Sequence, residues 1–222
     1  MSEQVIHVYM MPGMAASPTI FEYIDLPKDQ FQVHWLEWFI PEVNETLQAY
    51  ARRMCEKIVH DNAVLLGVSF GGILVQEMAK IKSFKKVIVV SSVKSKHELP
   101  KRITLTKYSK AYKLLPTQLL SNLDVLAKYA FGNTITKRIE LYKKYLSVSN
   151  KEYLDWSIEQ VIFWDQKAPN PDTIFIHGSK DMVFPHSCKG ECYIIKGGTH
   201  VMILNRAKWF NENLPKIILS EK

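Results

Sequence analysis

The chain has 222 residues, of which 47% are hydrophobic and 23% charged, with a formal net charge of +7. This is the length of one domain with a sizeable core and the balance of a soluble globular protein. No segment approaches the roughly 18 apolar residues that a membrane span needs. The three cysteines, Cys55, Cys188 and Cys192, are too few and too irregularly spaced to indicate a disulfide framework or a zinc site, and read as indifferent thiols.

Residues 5–16 are apolar and end in small side chains, but the leader carries Glu3 and no Lys or Arg, so the positive region of a secretion signal is missing. The stretch reads instead as a strand over residues 5–10 stopped by the Pro12-Gly13 turn, and a cytoplasmic location is the default expectation. Ser17 and Pro18 open a helix as N-cap and first-turn proline. Residues 31–38 form a second strand. Asn44 caps a helix to about His60, with Leu47, Tyr50, Ala51, Met54 and Ile58 at helical spacing. Residues 63–68 are a buried strand, and Gly71-Gly72 start a helix to about Ile81. Residues 87–92, 173–177 and 192–195 are further strands, and a last helix over 201–219 breaks near Pro215. Continuous apolar strands separated by helices indicate a parallel sheet covered on both faces.

Residues 93–169 interrupt this rhythm with a long helical pattern and no clear strand. Tyr108, Tyr112 and Leu115, then Leu119, Leu120, Leu123 and Leu126, mark amphipathic helices, with two more over 133–146 and 151–164. An insertion of this size between sheet strands reads as a lid, leaving a core of residues 1–92 and 170–222. Residues 94–167 hold 14 Lys and Arg against 7 Asp and Glu, so the whole net charge lies in this segment. It is also rich in aromatic residues, of which Tyr129, Trp156 and Trp164 are candidates for lining a substrate site. Lysines near its mouth would attract an anionic substrate.

Three short segments carry the chemistry. Gly67-Val68-Ser69-Phe70-Gly71 lies between a strand and a helix, the context in which a tight turn presents a serine hydroxyl near a helix N-terminus. His200, in Gly197-Gly198-Thr199-His200, follows the last strand; imidazole titrates near neutrality and can take and return the serine proton. Asp181 follows the preceding strand, where a carboxylate can fix the histidine tautomer and stabilise the imidazolium. Asp165 and Asp172 are less well placed for that role.

With Ser, Asp and His in this order, each after its own strand, the sequence resembles the α/β-hydrolase superfamily. His177-Gly178-Ser179-Lys180-Asp181 with Pro185 matches the superfamily's usual acid loop. The resemblance covers the sheet and flanking helices and does not extend to the lid. It implies a three-layer α/β fold of about six parallel strands; with four residues before residue 5, the superfamily's common N-terminal hairpin is expected to be missing. It also implies an oxyanion hole formed by the backbone N–H groups of Phe70 and Met14, with Pro12 standing where the superfamily more often has histidine.

The expected activity is hydrolysis of a carboxylic ester or thioester through an acyl-enzyme, with Ser69, His200 and Asp181 as the catalytic residues and no cofactor or metal. The same scaffold hosts C–C hydrolases, lyases, acyltransferases and non-enzymatic ligand-binding proteins. His7 and His34 fall in strands as structural residues, and His186 lies near the acid loop. No nucleotide-binding glycine pattern or nucleic-acid motif is present, and oligomeric state has no signal.

Overall fold

A computed structural model describes residues 5–109, 144–185 and 192–220 of the chain. Among these residues, six strands form one sheet: β1 (Ile6–Met11), β2 (Phe31–Trp35), β3 (Val64–Val68), β4 (Lys86–Val90), β5 (Thr173–Gly178) and β6 (Tyr193–Ile195). Their order is β2-β1-β3-β4-β5-β6, with every neighbouring pair parallel, as expected from sequence. All five residues of β3 and of β4 are buried, which accounts for their continuous apolar sequences.

Helices α1 (Leu47–Cys55) and α2 (Phe70–Met78) pack on one another, and α3 (Lys101–Ser109) packs on α4 (Lys151–Phe163). Helices α5 (Met202–Asn205) and α6 (Ala207–Leu219) follow β6. No helix among the described residues is long and apolar enough to cross a membrane.

Several boundaries differ from the sequence reading. Thr46, not Asn44, caps α1: its hydroxyl accepts the Ala49 N–H at 3.2 Å, while Asn44 sits in a turn at φ 58°. Ser17 opens only a 3-10 turn, Pro18–Phe21. The last helix breaks at Arg206, whose φ of −127° leaves the helical region, and continues through Pro215. Cys192 is disulfide-bonded rather than an indifferent thiol; Cys188 lies outside the described residues. Cys55 is free and buried, and burial pushes its thiol up to about 11. The expected amphipathic helices around Tyr112–Leu126 and most of the segment 133–146 also lie outside the described residues.

The strand order locates the site. From β1 the chain moves outward to β2, then returns across β1 to β3 and proceeds the other way. The strand order therefore reverses between β1 and β3, and at such a switch point the crevice outside the strands' carboxyl ends is where open α/β sheets generally bind ligands. The loops after β1 and β3 contain Pro12-Gly13-Met14 and Ser69.

Candidate active site

Ser69 occupies the turn between β3 and α2 with φ 54° and ψ −119°, a conformation that costs a non-glycine residue about 1–3 kcal/mol and persists only where its surroundings enforce it. The enforcement is visible at both ends of the turn. A Cβ built on Gly67 would lie 2.3 Å from Gly71 O, and one on Gly71 would lie 2.3 Å from Pro12 O. Only glycine permits these approaches, which bring the β1 loop against the start of α2. The Ser69 N–H donates to Val90 O at 2.9 Å, and the Ser69 carbonyl accepts from Gly72 N at 2.9 Å.

Asp181 and His200 reach the serine from loops after β5 and β6. A Cβ on Gly178 would stand 2.3 Å from Gly198 O, so the two loop backbones are in direct contact, and Lys180 N–H donates to Gly198 O at 2.8 Å. The Asp181 carboxylate is buried. Its Oδ1 accepts the Val183 and Phe184 N–H groups at 2.9 and 3.0 Å, and its Oδ2 lies 2.9 Å from His200 Nδ1. Burial works to raise the Asp181 carboxyl, but hydrogen bonding and charge from His200, the Phe184 N–H and nearby His177 outweigh it and hold the group below its usual range. An ionised carboxylate only accepts hydrogen bonds, so His200 Nδ1 carries the proton. His200 Nε2 is then left to accept from Ser69 Oγ, 2.9 Å away. This arrangement can pass the serine proton to imidazole as the oxygen attacks an electrophile.

The structure thus brings Ser69, Asp181 and His200 into one hydrogen-bonded chain. Asp172 is exposed on the turn before β5, and Asp165 is paired with Lys96. Gly13 lies against the nucleophile turn: a Cβ placed on it would be 3.4 Å from Ser69 Cβ. Among the described residues, neither the Met14 nor the Phe70 N–H has a hydrogen-bond partner. Trp156 and Trp164 are buried, with their indole N–H groups donating to Glu45 O at 2.7 Å and Glu77 Oε1 at 2.8 Å. Trp156 meets Phe70 edge-on. Tyr129 and His186 lie outside the described residues.

Two contributors escaped the sequence reading. Trp38 Nε1–H donates to Gly13 O at 2.9 Å, and its ring stacks on Phe70 at 5.0 Å, so one side chain braces both the β1 loop and the residue after Ser69. His177 Nε2–H donates to Phe184 O at 2.8 Å and stands 3.7 Å from Asp181 Oδ2, which steadies the acid loop. The position of His177 in the Gly178–Asp181 motif was a usable signal; nothing in the spacing marks Trp38. A small cavity bordered by Val89, Ser92, Lys94, Glu98 and His177 lies behind the acid loop and includes none of Ser69, Asp181 or His200.

No family model and no curated protein matches the sequence. Solved structures do match. An esterase from Exiguobacterium antarcticum superposes with TM-score 0.71 at 16% identity over 99% of this chain and 94% of its own. The enol-lactonase from Burkholderia xenovorans LB400 gives 0.72 at 11% over 98% and 92%, and a bromoperoxidase from Bacillus anthracis 0.69 at 20% over 99% and 93%. The chain has the α/β-hydrolase fold. At these identities the likeness establishes architecture alone. In the α/β-hydrolase fold seen here, the loops after β1, β3, β5 and β6 meet at one edge of the sheet, and that edge holds the Ser69–His200–Asp181 chain.

Proposed function

We propose that this protein is a serine hydrolase that cleaves small-molecule carboxylic esters or thioesters through an acyl-enzyme. The observation that carries this reading is the hydrogen-bonded series Ser69 Oγ, His200 Nε2, His200 Nδ1, Asp181 Oδ2, with both contacts at 2.9 Å. Ser69 Oγ attacks the carbonyl carbon as its proton moves to His200 Nε2. The imidazolium, stabilised by Asp181, returns that proton to the leaving alcohol or thiol. Water then enters, gives a proton to His200 and attacks the acyl carbon; His200 passes that proton to the departing Ser69 Oγ, so the acid leaves and the neutral serine and imidazole are restored. The Met14 and Phe70 N–H groups hold the negative charge that develops on the carbonyl oxygen. Losing one such donor typically costs 10²–10³ in kcat. The segment between β4 and β5 is assigned, as part of the same proposal, the selection of the acyl group.

The deciding experiment is labelling with a fluorophosphonate, which reacts with activated serines. Wild type is expected to be labelled, and Ser69→Ala to be folded but unlabelled. A folded wild-type protein that resists the probe overturns the reading in favour of a ligand-binding role for the same crevice. Turnover of a panel of short- and long-chain esters and thioesters then separates hydrolysis from the other chemistries of this scaffold.

A further inference from the structure

At the opposite end of the sheet three histidines converge. Side chains alternate along a strand, so His7 and Tyr9 project from the same face of β1. The parallel register pairs Tyr9 with His34 of β2, which places His34 on that face, its ring stacked on Tyr9 at 4.5 Å. His60 arrives from the connection between α1 and β3, and its ring lies 3.5 Å from that of His7. All three are half-buried, and each offers a ring nitrogen within 4.8 Å of the others'. Along β1, roughly 13 Å of strand separates His7 from Met11 and the loop beside Ser69.

We propose that His7, His34 and His60 form a binding site for a divalent transition-metal ion of the zinc class. Imidazole is the ligand type that suits zinc, copper and nickel, while hard cations such as magnesium and calcium prefer oxygen. Zinc–nitrogen bonds of about 2.0–2.1 Å in tetrahedral geometry set ligand atoms about 3.3 Å apart. His7 Nδ1 and His34 Nε2 are already 2.9 Å apart, and the wider spacings require shifts of no more than about 1.5 Å. The His7 and His60 rings are nearly parallel, at 7°, so one of them must turn to direct its lone pair at a shared ion; half-buried side chains have room to do so. Solvent supplies the fourth position.

The surroundings favour ligation. Tyr9 Oη lies 2.6 Å from His60 Nδ1 and accepts the Val59 N–H at 3.3 Å. A hydrogen bond from His60 Nδ1–H to that phenol fixes the ring with Nε2 as its ligand atom, the outer-sphere support that metal-bound histidines commonly receive. An ion here would tie β1, β2 and the α1–β3 connection together, stabilising the fold at the end of the sheet away from the proposed chemistry.

The test is calorimetric titration of the purified, metal-free full chain with Zn²⁺ alone. The expected result is one saturable equivalent, with Zn²⁺ raising Tm. His34→Gln and His60→Gln are expected to weaken binding at least tenfold and to abolish the Tm rise. Tyr9→Phe should weaken it about 10–100-fold, while His200→Gln binds as wild type does. Thermal melts of the metal-free variants check folding. His60, outside the strands, carries the test if the substitution at His34 prevents folding. No saturable binding by wild type, undiminished binding by the His60 variant, or loss of binding on His200→Gln would each overturn the proposal.

Discussion

The 2.9 Å contact between Asp181 and His200 makes a residue-level prediction with two readouts. In Asp181→Asn an amide replaces the acceptor facing His200 Nδ1, which favours the wrong imidazole tautomer, and kcat is expected to fall about 10³–10⁴-fold with little change in fold. The stability readout follows from the lowered titration of Asp181. The folded carboxyl binds its proton less readily than the unfolded one, so the unfolded chain carries more protons in acid and stability rises with pH. The carboxylate's contribution is therefore complete above the ordinary range near about 3.9 and is lost as the pH falls through the lower folded value. The Tm gap between wild type and Asp181→Asn should be constant near neutrality and close in strong acid; a gap that widens in acid contradicts the assignment. The motifs made Ser69, Asp181 and His200 legible because each is a short local pattern after an apolar strand. Trp38 was not legible, since it reaches Gly13 only through tertiary packing. The histidine cluster was hidden for a related reason: His7 and His34 read as ordinary strand residues until the β1–β2 register, which pairs His34 with Tyr9, puts them on one face two positions apart.

At the scale of elements, Lys86 shows how sheet and helix are fastened. It is the first residue of β4 and is buried, yet its ammonium donates to Ile217 O at 2.7 Å, to Ser220 Oγ at 2.9 Å and to Ser220 O. These carbonyls end α6, where the helix has no further N–H groups to offer and where a cation is favoured. Lys86→Met keeps most of the volume but orphans the acceptors. The expected cost is about 1–3 kcal/mol, seen as a Tm lower by about 2–4 °C for each kcal/mol, with fluorophosphonate labelling of the folded protein at 25 °C unchanged from wild type. A Tm equal to wild type would mean that solvent replaces the ammonium without loss. Such fastenings also explain where element boundaries departed from sequence. Apolar periodicity predicts a helix through Arg206, but its guanidinium turns back to Gly197 O, and the chain breaks there instead of at Pro215. Thr46 and Asn44 are both good caps by composition, and only the turn geometry at Asn44 decides between them.

For the whole molecule, the uneven charge is the feature with the clearest functional consequence. Lys96, Lys144 and Lys151 form ion pairs with Asp165, Glu22 and Asp155, exposed contacts that contribute little stability, and residues 94–167 retain the entire +7 excess. Steering by that charge predicts that kcat/KM for a carboxylate-bearing ester falls several-fold as salt rises from about 20 to 300 mM, while a neutral ester of equal size is insensitive. Equal responses would remove electrostatic steering from the account. The segment is also fastened to the core: Ser17 N–H donates to Tyr145 O at 3.1 Å and Val148 N–H to Ala15 O at 2.9 Å, so the stretch around Tyr145–Val148 abuts the loop after β1. A different consequence follows from the separation of 131 positions along the chain between Ser69 and His200. During synthesis at about 5–20 residues per second, the serine leaves the ribosome roughly 7–26 s before the histidine. Through that interval the nascent chain carries the Ser69 hydroxyl without the imidazole that faces it in the fold.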